Sequence, residues 1–198
     1  MKLLYQGHAS FRLTTDEHKV IYIDPFIGDG YDVPADIILC THEHYDHNKV
    51  ELVTKKPTTK IIHYYDVLQN GVYKTLDIDG VGIKAVPAYN SHHDRNETVG
   101  YVIHCDGVAV YHAGDTDVIP EMANLADEHI DYALLPIDGF YTMGPKDVEK
   151  VQSMIHAENI IVMHTKVGAI FDLEKAKQVT LPGVLIIKPG DEIILKHE

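Results

Sequence analysis

The N-terminal part of the chain alternates short apolar runs with turn residues. The stretch "KLLYQGHASFRLTTDEHKVIYIDPF" holds two or three such runs and ends at Asp24-Pro25. This alternation is typical of β-strands joined by tight turns. A run without polar residues, Ile37 to Cys40, follows and suits a strand that is covered on both faces. The pattern therefore predicts a β-meander and then a buried strand.

The middle of the chain predicts more strands. "TKIIHYY" and "VGIKAVPAYN" are β-like, and "VGYVIHCDGVAVYHAGDTD" contains two apolar runs joined by Asp106-Gly107. That dipeptide suits the positive φ angles of a tight turn. The sequence therefore predicts a hairpin that ends in a charged loop, residues 114–117.

The second half mixes helical and strand patterns. Short helices are predicted for "IPEMANLADEHI", "GPKDVEKVQSMIHAEN" and "LEKAKQV", and the second of these begins at Gly144-Pro145 with acidic Asp147 in its first turn. "DYALLPI" and Ile160 to Met163 predict buried strands, and "VLIIKPGDEIIL" predicts a closing hairpin around Pro189-Gly190. Because the helices fall between strands, we expect them to cover the faces of two sheets.

Composition narrows the classes of protein. The 198 residues, of which 45% are hydrophobic and 24% charged, predict one globular domain, residues 1–198. No long apolar span or secretory leader is visible, which predicts a cytoplasmic location without a membrane partner. The formal charge of −13 disfavours nucleic acid and anionic membranes, which need clustered Lys and Arg. A small-molecule substrate is expected instead.

The residues suited to metal binding are unusually abundant. The chain has 14 histidines, against two cysteines, Cys40 and Cys105, which form no Cys-x-x-Cys pair and fit a reducing compartment. "THEHYDH" places four candidate ligands directly after a buried strand: His42, His44, Asp46 and His47. A lone His-x-His is more often a solvated loop, whereas this denser pattern favours metal ligands. Ligands split between two neighbouring ions are what a two-metal site needs.

Other candidate ligands follow other predicted strands. They are His92 or His93, Asp115 and His164. Taken singly, each could be an ordinary loop, turn or surface residue. Because loops at one edge of a sheet can converge on a common site, their joint occurrence predicts a shared metal centre.

These motifs together resemble the metallo-β-lactamase superfamily. In that superfamily His-x-His-x-Asp-His is followed by a histidine, an aspartate and a final histidine, the order of "THEHYDH", His93, "HAGDTD" and "MH". "GHASF", "IDPF", "VPAYN", "AGDTD" and "ALLPIDGFYTMGPKDV" are similar to its small metal-dependent hydrolases, related to the ascorbate-6-phosphate lactonase type. The resemblance implies an α/β (α+β) fold, a four-layer αβ/βα sandwich of two mixed β-sheets flanked by helices.

The resemblance also implies a division of the ligands between two divalent ions. The first ion would be held by His42, His44 and the His92/His93 position, the second by Asp46, His47 and His164, with Asp115 between them. His93 is preferred over His92, because "HDR" stands where related sequences tend to have a histidine, then a small residue or proline, and then a basic residue. Zinc is the first ion expected, with manganese or iron as alternatives.

The implied chemistry is hydrolysis of an ester, lactone or phosphodiester bond in a small molecule. Two divalent ions activate water, so that no Ser or Cys nucleophile is needed. Asp46 is the predicted catalytic residue, as proton acceptor or as the group that orients the water.

Several further residues carry open alternatives. Asp24 either orients a ligand histidine or is an ordinary strand-end residue. His8 and His112 either face the site or are structural. Tyr141 and Thr142 either contact substrate or belong to a helix-capping loop, and the second reading is slightly favoured.

Other functions on the same scaffold fit the sequence less well than hydrolysis. A di-iron redox protein is disfavoured, because the related flavodiiron proteins have Glu where His44 stands and carry an additional flavin domain. The complete ligand set disfavours a non-catalytic metal-binding domain. The missing basic patch disfavours a nuclease.

Overall fold

A computed structural model describes residues 1–197 of the chain. Two large sheets and one small ribbon contain its strands. The first sheet consists of β1 (Lys2–Gly7), β2 (Ser10–Thr14), β3 (Val20–Ile23), β4 (Ala35–Leu39), β5 (Lys55–Ile62) and β15 (Glu192–Ile194), in the spatial order β15-β1-β2-β3-β4-β5. The ribbon pairs β6 (Leu68–Gln69) with β7 (Val72–Tyr73). The second sheet consists of β8 (Thr75–Ile78), β9 (Val81–Pro87), β10 (Val99–Cys105), β11 (Val108–His112), β12 (Tyr132–Pro136), β13 (Asn159–Met163) and β14 (Val184–Leu185), in the order β14-β13-β12-β11-β10-β9-β8.

Helices make up a small part of the described chain. The α-helices are α1 (Tyr64–Val67), α2 (Val148–Ile155) and α3 (Leu173–Ala176), and the 3₁₀ segments are Val50–Leu52, Pro120–Glu128 and Pro145–Asp147. Across residues 1–197, none of the helices combines the length and the apolar character needed to cross a membrane.

Each large sheet is mixed, and each changes from antiparallel to parallel pairing along the chain. β1, β2 and β3 form the predicted antiparallel meander, after which β3, β4 and β5 run parallel. The predicted hairpin joins β10 to β11, with positive φ at Asp106 and Gly107, and β11 to β14 then run parallel. The two mixed sheets of the predicted fold class are confirmed.

The apolar faces of the two large sheets determine how the layers of the fold pack. Inward-facing side chains such as Phe11 of the first sheet and Tyr101 of the second form the core between the sheets. The outer face of the second sheet is covered by α2 and the 3₁₀ segment Pro120–Glu128. The outer face of the first sheet packs against loop residues, among them Tyr31 and Val53. Loops therefore form much of one outer layer.

The segment Pro120–Glu128, predicted as a short helix, forms a 3₁₀-helix. Its buried residues Met122 and Leu125 are three positions apart, and Ile119 precedes them by the same interval. A repeat of three matches the 3₁₀-helix, which has three residues per turn. The 3₁₀ winding therefore places these apolar side chains on one face of the segment, and this face packs against the sheet.

The predicted closing hairpin around Pro189-Gly190 is wrong. β14 pairs with β13 in the second sheet, whereas β15 pairs with β1 in the first. The two runs thus extend the free edges of different sheets, and Ile187 between them is buried in the shared core. Pairing with existing sheets satisfies their open edges, which an isolated two-stranded ribbon would leave unpaired.

Candidate metal centre

The candidate ligands lie at the carboxyl ends of strands from both sheets. "THEHYDH" follows β4, Asp115 follows β11, His164 follows β13, and His93 lies in the loop from β9 to β10. The edges of the two sheets are tied together here, because the His164 backbone N–H donates to the carbonyl of His8, just after β1, at 2.8 Å. One edge of the sandwich therefore collects all the predicted positions.

The loop after β4 is shaped by Asp24. The Asp24 carboxylate accepts hydrogen bonds from the backbone N–H and the hydroxyl of Thr41, both at 2.7 Å. A turn follows, in which the His47 N–H donates to the His44 carbonyl at 3.0 Å. His42 and His47 are buried as a result, while His44 stays exposed.

The Asp115 carboxylate is the centre of the cluster. Its Oδ2 atom lies 3.2 Å from Nε2 of His164, 3.3 Å from Nε2 of His47, 3.4 Å from Nε2 of His93 and 4.0 Å from Nε2 of His42. None of these approaches has hydrogen-bond geometry. A single carboxylate oxygen thus faces four imidazole nitrogens that come from three separate parts of the chain.

Two groups of ligand atoms surround this carboxylate. In the first group, His42, His44 and His93 have ligand atoms within 4.8 Å of one another. The second group meets the same limit and consists of His8, Asp46, His47 and His164. The structure therefore brings together both sets implied by the sequence, adds His8 to the second, and sets Asp115 between them.

The donor atoms fit divalent metal ions. Within residues 1–197, Nε2 of His42, His47 and His93 and Oδ1 of Asp115 are buried without a hydrogen-bond partner. A buried polar atom left unpaired costs on the order of 1–3 kcal/mol, so four of them facing one region need a common partner. Imidazole nitrogen and carboxylate oxygen are the ligands that zinc takes in catalytic sites.

Each of the four histidines around Asp115 has a polar contact at its Nδ1 atom. The supporting contacts are His42 to Thr41 Oγ1 at 2.9 Å, His47 to Asp24 Oδ2 at 2.7 Å, His93 to Asn90 Oδ1 at 3.0 Å, and His164 to Asp138 Oδ2 at 3.0 Å. The last of these is a close contact without hydrogen-bond geometry. An acceptor at Nδ1 holds the proton there and leaves Nε2 free to bind an ion.

Asp24 has the orienting role that the sequence offered as one alternative. Asp24 also lies within 4.8 Å of His42 and His47 ligand atoms. Its oxygens already accept from Thr41 and His47 Nδ1, on the side of the ring away from Asp115, so Asp24 supports the site from outside.

Asp138 is the supporting residue that sequence reasoning missed. It follows β12 as Asp24 follows β3, and this shared position after a buried strand was the available signal. Its carboxylate accepts from the backbone N–H groups of Phe140 at 2.6 Å and Tyr141 at 2.8 Å. Held in this way, it faces Nδ1 of His164.

His8 and His112 resolve into different roles. His8 is buried, and its Nε2 lies 3.2 Å from Oδ2 of Asp46, so it faces the site. His112 donates from Nε2 to the Ala9 carbonyl at 2.9 Å and accepts the Gly114 N–H at Nδ1. His112 is therefore a structural histidine that fixes the turn presenting Asp115.

The pair His92 and His93 is divided by the fold. His93 is buried and faces Asp115, whereas His92 is exposed and stacks on Phe140 with ring centroids 5.6 Å apart. Asn90 produces this arrangement, because its side-chain oxygen accepts both from the His92 N–H and from Nδ1 of His93. The position of His93 agrees with the preference given to it from the sequence.

A cavity of about 360 Å³ opens onto the cluster. Besides candidate ligands, Tyr45, His92, Tyr141 and Val167 line it. Tyr141 thus faces the cavity, while Thr142 is buried and donates its hydroxyl to Asp138 at 3.1 Å.

Strong electrostatic coupling holds Asp115 as an anion. Burial alone would raise its pKa, but His164 and His47 outweigh burial and lower the pKa well below the ordinary value. Burial alone would lower the pKa of His47, but Asp115 and Asp24 raise it well above the ordinary value. The pKa of His164 is raised to about 9 by Asp115 and Asp138, against the effect of burial.

The other two histidines that face Asp115 shift in the opposite direction. Burial, reinforced by His47, lowers the pKa of His42 well below the ordinary value, although Asp115 opposes the shift. Burial also lowers the pKa of His93, to about 4. Both rings are neutral at pH 7, which is the form that binds metal.

Comparison with known proteins shows the family of this chain. The model of the beta-lactamase superfamily domain matches residues 2–164. The chain belongs to this superfamily. Among its relatives, a UPF0173 metal-dependent hydrolase of Thermococcus onnurineus is 35% identical, with 96% of this chain and 98% of that protein covered. A UPF0173 metal-dependent hydrolase of Methanoculleus marisnigri is 33% identical, with coverage of 98% and 96%.

The same superfamily fold is found among solved structures. Igni18, a metallo hydrolase from Ignicoccus hospitalis, superposes with a TM-score of 0.78 and 26% identity, over 100% of this chain and 99% of that one. The resemblance noted in the sequence is therefore confirmed, and the chain is a member of a beta-lactamase superfamily branch of metal-dependent hydrolases.

Proposed function

We propose that this protein binds two divalent metal ions and hydrolyses an ester, lactone or phosphodiester bond of a small molecule. The observation that carries the proposal is the position of Asp115 Oδ2, within 3.2–4.0 Å of four histidine Nε2 atoms and between two groups of ligand atoms. A carboxylate has two oxygens and can contact both ions, which an imidazole cannot do.

Each proposed ion has its own set of ligands. His42, His44 and His93 would hold the first ion, Asp46, His47 and His164 would hold the second, and Asp115 would contact both. When bound, the ions supply activation of water and polarisation of the bond under attack. Zinc is the first ion to test, with manganese and iron as alternatives.

Asp46 orients the attacking water or accepts its proton. It is half-buried, and its Oδ2 is fixed by His8 at 3.2 Å. Burial would raise the pKa of Asp46, but the His8 hydrogen bond and His47 lower it, which keeps the carboxylate ionised and able to accept a hydrogen bond from water. His8 is thus placed to hold Asp46 in one orientation.

The test is metal analysis followed by a substrate panel. Purified protein is expected to contain stoichiometric zinc, manganese or iron, and protein reconstituted with each metal is then offered esters, lactones and phosphodiesters. His44→Ala and Asp115→Ala are expected to lose hydrolysis. Protein that contains and takes up none of these metals would contradict the proposal.

A further inference from the structure

The mouth of the ligand cavity is apolar. Tyr45 is 68% exposed, Val167 48% and Tyr141 38%, and all three line the same cavity as the candidate ligands. Single exposed apolar residues are ordinary, but a group of them beside a concave polar centre marks a binding surface.

One wall of this mouth is held by several contacts. The Tyr141 ring lies edge-on to His92, with centroids 5.0 Å apart, and to Phe140, at 4.7 Å. Its backbone N–H donates to Asp138 and its carbonyl accepts from the side chain of Asn90 at 2.7 Å. The wall is therefore bonded to the residues that support His164 and His93, which places an aromatic ring beside the candidate metal cluster.

Apart from the two proposed ions, no cationic side chain among residues 1–197 lines the cavities beside the cluster. Within residues 1–197, neither Lys nor Arg lines the main cavity or a smaller cavity of about 160 Å³ that shares His44, His92 and His93 with it. Glu43, Asp94 and Glu97 line the smaller cavity. Arg95 is engaged by Glu121 at 2.6 Å. Lys49 lies over the Phe26 ring, 4.5 Å from its centroid. Lys166 is next to Val167 in the chain, but it is exposed and lines neither cavity.

An anionic group away from the reacting bond would therefore be poorly accommodated. Sites that recognise phosphate or carboxylate groups place Arg, Lys or a helix N-terminus against them. Here such a group would meet apolar rings on one side and carboxylates on the other.

We infer that the substrate is an uncharged ester or lactone with a planar apolar group next to the reacting carbonyl, and that Tyr141 and Val167 determine this specificity. The inference rests on the proposed hydrolytic function. In the reaction, the water oxygen forms a bond to the carbonyl carbon, the bond to the alkoxy oxygen breaks, and a proton from water passes to that oxygen.

Two matched substrate pairs test the inference on the metal-reconstituted protein. Dihydrocoumarin and δ-valerolactone differ in a fused aromatic ring, and phenyl acetate and 3-acetoxybenzoate differ in one carboxylate. Rates are normalised to hydroxide-catalysed hydrolysis. We expect kcat/KM to favour the aromatic lactone and the uncharged ester, each by about tenfold, which corresponds to about 1.4 kcal/mol.

Variants separate the contribution of each side chain. Tyr141→Ala is expected to reduce the preference for dihydrocoumarin to near unity without changing metal content. Val167→Arg is expected to narrow or reverse the preference for phenyl acetate over 3-acetoxybenzoate. Ile194→Ala is the control, because Ile194 is 65% exposed and pairs with Lys2, at the end of β1 remote from His8.

The outcomes are distinguishable. Hydrolysis with equal or greater activity on the anionic ester, or a ring preference untouched by Tyr141→Ala, overturns the specificity while leaving the hydrolase function intact. If metal-loaded protein hydrolyses no ester, lactone or phosphodiester, the proposed function fails and the specificity fails with it. Hydrolysis of phosphodiesters alone overturns the substrate class only.

Discussion

At the scale of single residues, the site depends on backbone positions that few side chains adopt. His8, Asp24 and His164 have φ angles of 54°, 46° and 44°, in the left-handed region. Such positions cost on the order of 1–3 kcal/mol each for residues other than glycine. All three residues contact or support the cluster, so the surrounding structure holds strained positions where the candidate chemistry lies.

The adjacent histidines provide a matched test of the ligand assignment. His93→Ala is expected to abolish activity and to weaken metal binding by more than the 10–100-fold typical of losing a supporting residue. His92→Ala should leave metal content unchanged, because that ring stacks on Phe140 outside the cluster. Metal content by mass spectrometry and kcat/KM check both. Equal effects of the two substitutions would contradict the assignment of His93.

Asp138 offers a test of a residue that only the structure revealed. Asp138→Asn keeps the side-chain shape but removes the charge facing Nδ1 of His164. We expect metal affinity to fall roughly 10–100-fold, measured by competition with a chromophoric chelator. Glu174→Gln is the control, since Glu174 is exposed and pairs with Lys177. Unchanged affinity in Asp138→Asn would show that His164 needs no such support.

The pKa shifts predict proton release when metal binds. In the ion-free folded chain the pKa of His164 is about 9, above its ordinary value of 6.5, so the protonated form dominates at pH 7.5. A metal must displace this proton and that of His47, whose pKa is also raised, so affinity should rise with pH through about pH 9. The raised pKa also links folding stability to pH. Without metal, the stabilisation of the fold by protonated His164 is complete below pH 6.5 and is lost as the pH rises through 9.

Calorimetry checks this proton release. Zinc titrations at pH 7.5 in two buffers of different ionisation enthalpy should give different heats, and the difference should shrink above pH 9. Heats that do not depend on the buffer at pH 7.5 would contradict the prediction.

At the scale of elements, the site is held by strands whose outer faces need cover. α2 buries Val148, Val151 and Ile155 against the outer face of the second sheet, which carries β11 and β13. Those two strands end at Asp115 and His164. The docking of α2 therefore stabilises the part of the sheet that positions two candidate ligands.

Ile155→Ala tests this docking. Ile155 is fully buried, so its truncation is expected to lower the free energy of unfolding by about 2–5 kcal/mol in urea titrations. Ser153→Ala, on the exposed face of the same helix, should change it by less than about 0.5 kcal/mol. Similar values for the two variants would mean that α2 contributes little to the stability of the sheet.

At the scale of the whole molecule, the core between the sheets joins residues from both halves of the chain. The expectation that residues 1–198 form one domain stays a prediction, and a single unfolding transition by two spectroscopic probes would support it.

Cys40 and Cys105 are both buried and free, and burial raises the pKa of both thiols.

Metal removal is expected to destabilise the whole fold. Because the candidate ligands come from both sheets, an ion bound to the native state alone stabilises their association, by roughly 4 kcal/mol at a thousandfold excess over Kd. Chelator-treated protein should therefore unfold at a lower temperature than the same sample reloaded with zinc. The difference should persist in His92→Ala and disappear in Asp115→Ala. Identical unfolding temperatures before and after chelation would contradict a two-sheet metal centre.

The sequence by itself determined the features that local patterns encode. Alternating and continuous apolar runs indicated the meander, the buried β4 and the hairpin at Asp106-Gly107, since these depend on side-chain periodicity and turn chemistry. The motif "THEHYDH" and the order of the later residues identified the superfamily. The convergence of the candidate ligands at one edge also followed from strand ends.

Only the tertiary structure decided what depends on distances between remote segments. Sequence spacing leaves open which remote residues meet and how a side chain is oriented. It did not show that Asp138 supports His164, that His8 contacts Asp46, or that His93 turns inward. The separation of β14 and β15 into different sheets was missed for the same reason, because a strand's partner is chosen by the free edges available in the folded chain. The apolar mouth, which no Lys or Arg of residues 1–197 lines, likewise exists only where several loops meet.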